Sequence, residues 1–133
     1  MARRVVFDTN ILISGYLWQG SAREAIERVR DEEWTLLVSR ETIDELIRVL
    51  AYRKFGLSPE EIQPIVEDLI QISEIVDVTS EVTAVQNDLT DNMFLALAVD
   101  GGAKLIVSGD HHLLDLRQFE GIPIVRVRRF LQL

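Results

Sequence analysis

The sequence has no cysteine, only two lysines and no long apolar run, and each shortage excludes a class of protein. Without cysteine, neither a disulfide framework nor a thiolate metal site is available. The apolar runs are well short of the roughly 20 residues that span a bilayer. The first residues are followed by no apolar segment long enough for a secretory signal. We therefore expect a cytoplasmic protein that does not associate with membranes.

Positive charge is also scarce, because 14 Lys and Arg stand against 22 Asp and Glu, for a formal net charge of -8. A protein that binds nucleic acid over a broad surface needs many cations to contact phosphates. Any nucleic-acid contact must therefore be local. Two arginine groups would form one patch if the strands beside them lie close together, and they are equally well explained as solvated flanks: Arg3 and Arg4, and Arg126, Arg128 and Arg129.

The 133 residues, 47% of them hydrophobic, suit one domain covering positions 1–133. Short strand-like runs alternate with helical patterns, and this alternation predicts an α/β fold with three layers (α/β/α) and a central, mainly parallel sheet. The predicted strands are 5–7, 35–38, 75–78, 105–107 and 122–125. The predicted helices end near 18, 33, 53, 73 and 101, and a short one lies at the C-terminus.

Acidic residues follow two of these strands. Asp8 ends the stretch RRVVFD, and Asp110 ends KLIVSGD. Open α/β sheets bind ligands beyond the carboxyl ends of their strands, so both positions are candidates for a functional site. Taken singly, each Asp is explained more simply as a turn residue that hydrogen-bonds nearby backbone.

Asp91 is an independent candidate, because helical spacing places it on the same face as Phe94, Leu95 and Ala98. A carboxylate on a core-facing stripe needs a partner. The alternative is a helix cap or a favourable interaction with the helix dipole, although Asp88 or Thr90 could equally cap this helix.

Glu45 is a weaker candidate. It lies about 120° from the centre of the apolar stripe of its helix, so helical geometry alone favours a solvated side chain. That stripe consists of Ile43, Leu46, Ile47, Val49 and Leu50.

Carboxylates that converge on one cleft repel each other, and binding a divalent cation relieves the repulsion. Oxygen ligands suit Mg²⁺ or Mn²⁺, which also bind phosphates and activate water for phosphodiester hydrolysis. His111 and His112 follow Asp110 directly, but they lack the spaced partners of a zinc motif. We interpret them as turn or helix-start residues.

Taken in order, several segments resemble the PIN-domain ribonucleases, and in particular the VapC-like toxins of toxin–antitoxin pairs. The similarity covers essentially the whole chain. No one motif is specific, but the ordered set is distinctive. It consists of DTN at 8–10, Ser39 with ELIRVL at 45–50, DLTDNMFLALAVDGGAKLIVSGD at 88–110 and the LLDL that follows.

The resemblance implies a PIN-like fold and an endoribonuclease that uses Mg²⁺ or Mn²⁺ to hydrolyse RNA. It implies an antitoxin protein as partner and a homodimer or larger homo-oligomer. The metal ligands and catalytic residues would be Asp8, Glu45, Asp91 and Asp110, with Asn10 and Ser108 as supporting polar groups and Asp88 as a cap. One departure is that His111 and His112 stand where the family often has Lys or Arg.

Two other interpretations remain open. Receiver-like or dehalogenase-like phosphoryl-transfer proteins also gather acids and Mg²⁺ at strand ends, but the first strand here ends in one acid, and neither Lys54 nor Lys104 follows a strand end. The acids could instead form a catalytically inactive surface that docks a basic partner, which the negative net charge would favour.

Overall fold

The computed structural model describes residues 3–85 and 89–133. Asp88, predicted to cap a helix, lies outside the described residues. The strands are β1 (Arg3–Phe7), β2 (Trp34–Val38), β3 (Ser73–Ile75), β4 (Leu105–Val107), β5 (Gln118–Phe119) and β6 (Ile122–Val125). The helices are α1 (Thr9–Leu17), α2 (Ser21–Arg30), α3 (Arg40–Leu50), α4 (Pro59–Ile72), α5 (Leu89–Gly101), α6 (His111–Leu114) and α7 (Val127–Phe130), with a 3₁₀ turn at Arg53–Phe55.

The strands form one sheet in the order β3-β2-β1-β4-β6-β5. Every pairing is parallel except that of β5 with β6. The central pair aligns Phe7 of β1 with Val107 of β4, so the two strands end at the same level. The predicted α/β class with a mainly parallel sheet is confirmed.

Alternate residues of the strands feed two separate cores, one on each face of the sheet. Val5 and Phe7 of β1 belong to the core covered by α1 to α4 and α7, whereas Val6 belongs to the core covered by α5 and α6. Because all three are buried, β1 is apolar on both faces, as expected of a central parallel strand. The result is the three-layer α/β/α arrangement.

Local sequence sets the helix starts nearest the site. Ser39 and Ser58 form capping boxes at the starts of α3 and α4. At the start of α5, the amide of Asn92 pairs with both the N–H and the C=O of Val85, each at 2.8 Å. These contacts fix the helices that carry Glu45 and Asp91.

The predicted strand at 75–78 is misplaced. The structure has β3 at Ser73–Ile75, paired with β2 from Leu36 to Val38. The chain enters the strand as soon as α4 ends at Ile72, so Ser73 is at once the cap of the helix and the first strand residue. Within the described residues, no helix has the length and apolar character needed to cross a membrane.

Candidate functional site

Asp8 is held at the end of β1 by hydrogen bonds to both carboxylate oxygens. Its Oδ1 accepts from the Ile11 N–H at 3.0 Å, which makes Asp8 the cap of α1. Its Oδ2 accepts from the Ser108 hydroxyl and from the Gly109 N–H, the latter at 3.3 Å. These hydrogen bonds fix the side chain, and only 3% of the residue is exposed.

Burial raises the pKa of the Asp8 carboxyl, because the charged form loses its hydration. The negative charge of Asp110 raises the pKa further, while the hydrogen bonds from Ser108, Ile11 and Gly109 oppose the shift. A bound cation would favour the ionised carboxylate and so oppose this rise in pKa. The site therefore holds a carboxylate whose ionised form is costly without a positive partner.

All four predicted acids line one cleft of about 390 Å³ at the carboxyl ends of β1 and β4. They come from the end of β1, where Asp8 caps α1, from α3, from α5 and from the segment after β4, and are thus far apart in sequence. The structure brings Asp8, Glu45, Asp91 and Asp110 together. Other residues that line the cleft are Thr9, Asn10, Arg48, Val49, Tyr52, Lys54, Thr90 and Phe94.

The helical-wheel interpretation of Glu45 as a solvated residue is wrong. Its side chain is 12% exposed and pairs with the Arg48 guanidinium at 2.7 Å. Val49, one turn further along α3, lines the same cleft. The edge of α3 that bears both residues therefore faces the cleft, and the wheel could not show this because it describes one helix without its neighbours.

Ser108 and Asn10 differ in their placement. Ser108 is fully buried, donates to Asp8 and accepts from the Asp110 N–H at 2.9 Å. It therefore couples two of the acids through one hydroxyl. Asn10 is exposed at the lip of the cleft, in the first turn of α1.

His112 lies closer to the acids than the sequence interpretation allowed. Its Nδ1 is 3.5 Å from Oδ1 of Asp110 and 4.0 Å from Oδ2 of Asp91. One donor atom from each of these three residues lies within 4.8 Å of the other two, as in groups that share a metal ion. His111 begins α6 and is exposed, as expected of a helix-start residue.

Three further residues line the cleft although the sequence did not predict them there. Arg48, Tyr52 and Lys54 line it, and Arg48 donates to the Tyr52 hydroxyl at 2.7 Å. The spacing of 45, 48, 49 and 52 is that of one helical face, so the pattern carried a signal once Glu45 was assigned.

The two arginine groups are only partly separated, because the Arg3 guanidinium lies over the Trp34 ring at 4.0 Å from its centroid and Phe130 of α7 packs against the same ring. Arg4 donates to the Gly101 carbonyl at 2.6 Å and forms an ion pair with Glu74, at the amino-terminal end of β1. Arg126 follows the carboxyl end of β6. Because β1, β4 and β6 are parallel, Arg4 and Arg126 lie at opposite ends of the strands.

The sequence model of the PIN domain matches residues 4–112. The chain belongs to the PIN domain family. No curated protein sequence matches it.

Solved structures share the fold of this PIN domain. VapBC2 from Rickettsia felis, bound to a DNA fragment from its promoter, is 14% identical with a TM-score of 0.62, over 91% of this chain and 96% of the other. PAE2754 from Pyrobaculum aerophilum is also 14% identical, with a TM-score of 0.66 over 98% and 88%. VapC20 from Mycobacterium tuberculosis, a toxin that cleaves the sarcin-ricin loop, is 13% identical with a TM-score of 0.58 over 90% and 98%.

Proposed function

We propose that this PIN domain is a divalent-metal-dependent endoribonuclease and the toxin of a toxin–antitoxin pair. One observation carries the proposal: Asp8, Glu45, Asp91 and Asp110, from four separate segments, line a single cleft. A cluster of this kind has little structural value, because like charges at one site destabilise the fold unless a cation is bound.

The donor set fits Mg²⁺ or Mn²⁺. The four carboxylates offer the oxygen ligands that both ions take, and the cleft has room for the waters they retain. Thr9, which lines the cleft, gives further support. Within residues 3–85 and 89–133 its buried Oγ1 has no hydrogen-bond partner, and a water retained by the ion would supply one. When bound, the ion supplies neutralisation of phosphate charge and a lowered pKa for an attacking water.

The chain's own groups orient the acids. The Asp110 N–H donates to the Ser108 hydroxyl, which donates in turn to Oδ2 of Asp8. This chain of hydrogen bonds fixes the ends of β1 and β4 relative to each other. Asp8 and Asp110 are thereby oriented before substrate arrives, as electrostatic catalysis requires.

Cations at the lip would hold the RNA. Arg48 and Lys54 are the basic residues that line the cleft among those described, and Arg48 offsets part of the charge of Glu45. Because the protein carries a formal net charge of -8, phosphate binding must depend on such local cations. No side chain is required as a covalent nucleophile.

The toxin role and the partners follow from likeness. VapBC2 and VapC20 share the fold, and VapC20 is described as a toxin that cleaves the sarcin-ricin loop. By analogy we infer an RNA substrate, an antitoxin protein as partner, a homodimer or larger homo-oligomer, and a cytoplasmic location. The acidic surface would assist docking of a basic antitoxin segment.

Replacement of Asp8 or Asp91 by Asn tests the proposal. Each change removes one carboxylate from the cleft, and we expect Mg²⁺- or Mn²⁺-dependent cleavage of RNA to fall at least about a hundredfold while circular dichroism stays unchanged. Structured and unstructured RNA should be compared, each with Mg²⁺, Mn²⁺ and chelator.

Asp44→Asn is the matched control. Asp44 is an exposed acid of α3 next to Glu45 and does not line the cleft, so its loss should leave cleavage unchanged. Undiminished cleavage by the Asp8 and Asp91 variants would eliminate the mechanism. Stable phosphorylation of Asp8 by a small phosphodonor would instead favour phosphoryl transfer.

A further inference from the structure

The imidazole of His112 lies beside the acidic cleft, although His112 is not one of the four acids that the family resemblance predicted. Its Nδ1 lies 3.5 Å from Oδ1 of Asp110 and 4.0 Å from Oδ2 of Asp91. Donor atoms bound to one ion lie about 3–4.5 Å apart, because each is about 2.0–2.3 Å from the metal. The imidazole nitrogen and the two carboxylates are thus separated by the distances expected of a shared ion.

We propose that His112 supplies a nitrogen ligand to the divalent ion held by Asp91 and Asp110, and that the cleft consequently prefers Mn²⁺ to Mg²⁺. The inference rests on the proposed function in one respect, the presence of a divalent ion in this cleft. It goes further by assigning a ligand of different chemistry and a choice between the two ions.

The local backbone ties His112 to Asp110. The His112 N–H donates to Oδ1 of Asp110 at 2.8 Å, so that the carboxylate which caps α6 is anchored to the residue that carries the ring. The His111 ring packs against the His112 ring with centroids 4.2 Å apart. The hydrogen bond therefore holds the Asp110 carboxylate beside the residue that carries the imidazole.

A second feature of this cleft, independent of the histidine, is a buried hydroxyl that lacks a partner. Thr9 lines it, is 9% exposed, and its Oγ1 has no hydrogen-bond partner in the described part of the chain. A buried hydroxyl without a partner costs free energy unless water or another ligand satisfies it. The ion with its retained waters would supply that partner.

A nitrogen donor changes the order of metal affinities. Mg²⁺ takes oxygen ligands almost exclusively, whereas imidazole suits the first-row transition metals, in which the affinity of a nitrogen-containing site rises from Mn²⁺ onward. An all-carboxylate cleft would discriminate little between Mg²⁺ and Mn²⁺. A cleft that includes His112 should bind Mn²⁺ more tightly.

Metal binding without RNA tests this inference. Isothermal titration of the full chain with Mn²⁺ and separately with Mg²⁺ gives the two affinities, and electron spin echo modulation of bound Mn²⁺ detects a directly bonded ¹⁴N. We expect tighter binding of Mn²⁺ and a clear ¹⁴N coupling. In His112→Gln the coupling should vanish and Mn²⁺ affinity should fall at least about tenfold, with little change for Mg²⁺.

His111→Gln is the matched control, since it removes the neighbouring, exposed imidazole and should keep both the ¹⁴N coupling and the Mn²⁺ preference. A Mn²⁺ complex of the wild-type protein without ¹⁴N coupling, or an equal loss of Mg²⁺ and Mn²⁺ affinity in His112→Gln, would overturn the assignment while leaving metal-dependent cleavage intact. Absence of binding of either ion would overturn both the assignment and the proposed nuclease mechanism.

Discussion

The hydroxyl of Ser108 donates a hydrogen bond to Oδ2 of Asp8, across 100 positions of sequence. The bond joins the ends of β1 and β4, which the parallel register of Phe7 with Val107 brings level. It also forms part of a polar network that begins directly after the last buried residues of both strands. The sheet therefore sets the geometry of the site, and the side chains that follow its strands supply the chemistry.

Asp8→Asn should change the stability of the metal-free protein little at neutral pH. Because the folded-state pKa of Asp8 is raised, its contribution to stability is complete below the unfolded value of about 3.9 and is lost as pH rises through the folded pKa. Asn removes the cost of the buried charge, but its NH2 group cannot accept the hydrogen bonds that Oδ2 takes from Ser108 and Gly109. Because the two effects oppose each other, we expect a Tm in chelator close to that of the wild type.

The same pair of proteins reports on metal binding. Saturating Mn²⁺ should raise the Tm of the wild type, since an ion at a hundred times its Kd contributes about 2.7 kcal/mol, and should raise that of Asp8→Asn much less. Asp44→Asn, which removes an exposed acid, should respond like the wild type. A large loss of Tm for Asp8→Asn in chelator would show that this carboxylate serves the fold and not an ion.

Arg48→Ala should weaken RNA binding and reduce its salt dependence. The guanidinium stands at the cleft between Glu45 and the Tyr52 hydroxyl, each 2.7 Å away. If it contacts one phosphate, its loss lowers the slope of log affinity against log salt by about 0.7 for single-stranded RNA. Fluorescence anisotropy in an Asp8→Asn background measures this without cleavage.

The control for that measurement is Arg40→Ala, which removes the same charge from an exposed position at the start of α3 that does not line the cleft. Equal changes in slope for both variants would indicate a general charge effect. A change confined to Arg48 would place the substrate at the lip of the cleft.

The sequence was sufficient for those parts of the fold that depend on local pattern. Apolar triplets such as 105–107 mark strands buried on both faces, and the Ser58-Pro59 start of α4 is a local signal. By contrast, β5 has only two residues, Gln118 and Phe119, and exists because it pairs with β6 across a turn. No periodicity can reveal an element of that length.

The predictions of site residues divide in the same way, into those that follow from local pattern and those that depend on neighbouring elements. The convergence of Asp8 and Asp110 follows from strand ends, and Asp91 follows from helical spacing. Glu45 and His112 required the packing of neighbouring elements, because a helical wheel does not show what lies beside the helix and two adjacent histidines do not show which one turns inward. Arg48 and Tyr52, which also line the cleft, were missed for the same reason.

Asp68→Asn should reduce stability only at pH values where the native carboxylate is charged. Arg30 donates two hydrogen bonds to Asp68, at 2.8 and 2.9 Å, and the Tyr16 hydroxyl donates a third at 2.8 Å, which together join α1, α2 and α4. The bonds from Arg30 lower the pKa of Asp68. A lowered folded-state pKa means that the stabilisation is complete above about 3.9, the unfolded value, and is lost as pH falls through the folded pKa.

Urea unfolding of the wild type and Asp68→Asn from pH 8 to pH 3 measures this difference. Because the pair is partly exposed and therefore screened, we expect about 1 kcal/mol or less at neutral pH, declining below about pH 4. Asp31→Asn, at an exposed position after α2, should show no comparable difference. A difference that persisted unchanged at pH 3 would assign the effect to packing.

Gly15→Ala should destabilise the protein although it introduces the residue best suited to a helix. A Cβ at this position of α1 would lie 2.5 Å from Cγ1 of Ile26 and 3.0 Å from the Ala22 carbonyl of α2. Alanine gains about 1 kcal/mol of helix propensity over glycine, but forcing atoms into a packed interface costs about 1–3 kcal/mol. Since Ile26 is buried and the second neighbour is backbone, relief requires α1 and α2 to separate.

Thermal unfolding should therefore give a lower Tm for Gly15→Ala. Gly109→Ala is a suitable comparison for stability, because a Cβ there would meet no atom within 4 Å. A Tm for Gly15→Ala at or above that of the wild type would mean that the α1–α2 interface yields at little cost. In that case the close approach of the two helices would not be what orients α1, the helix that Asp8 caps at the edge of the cleft.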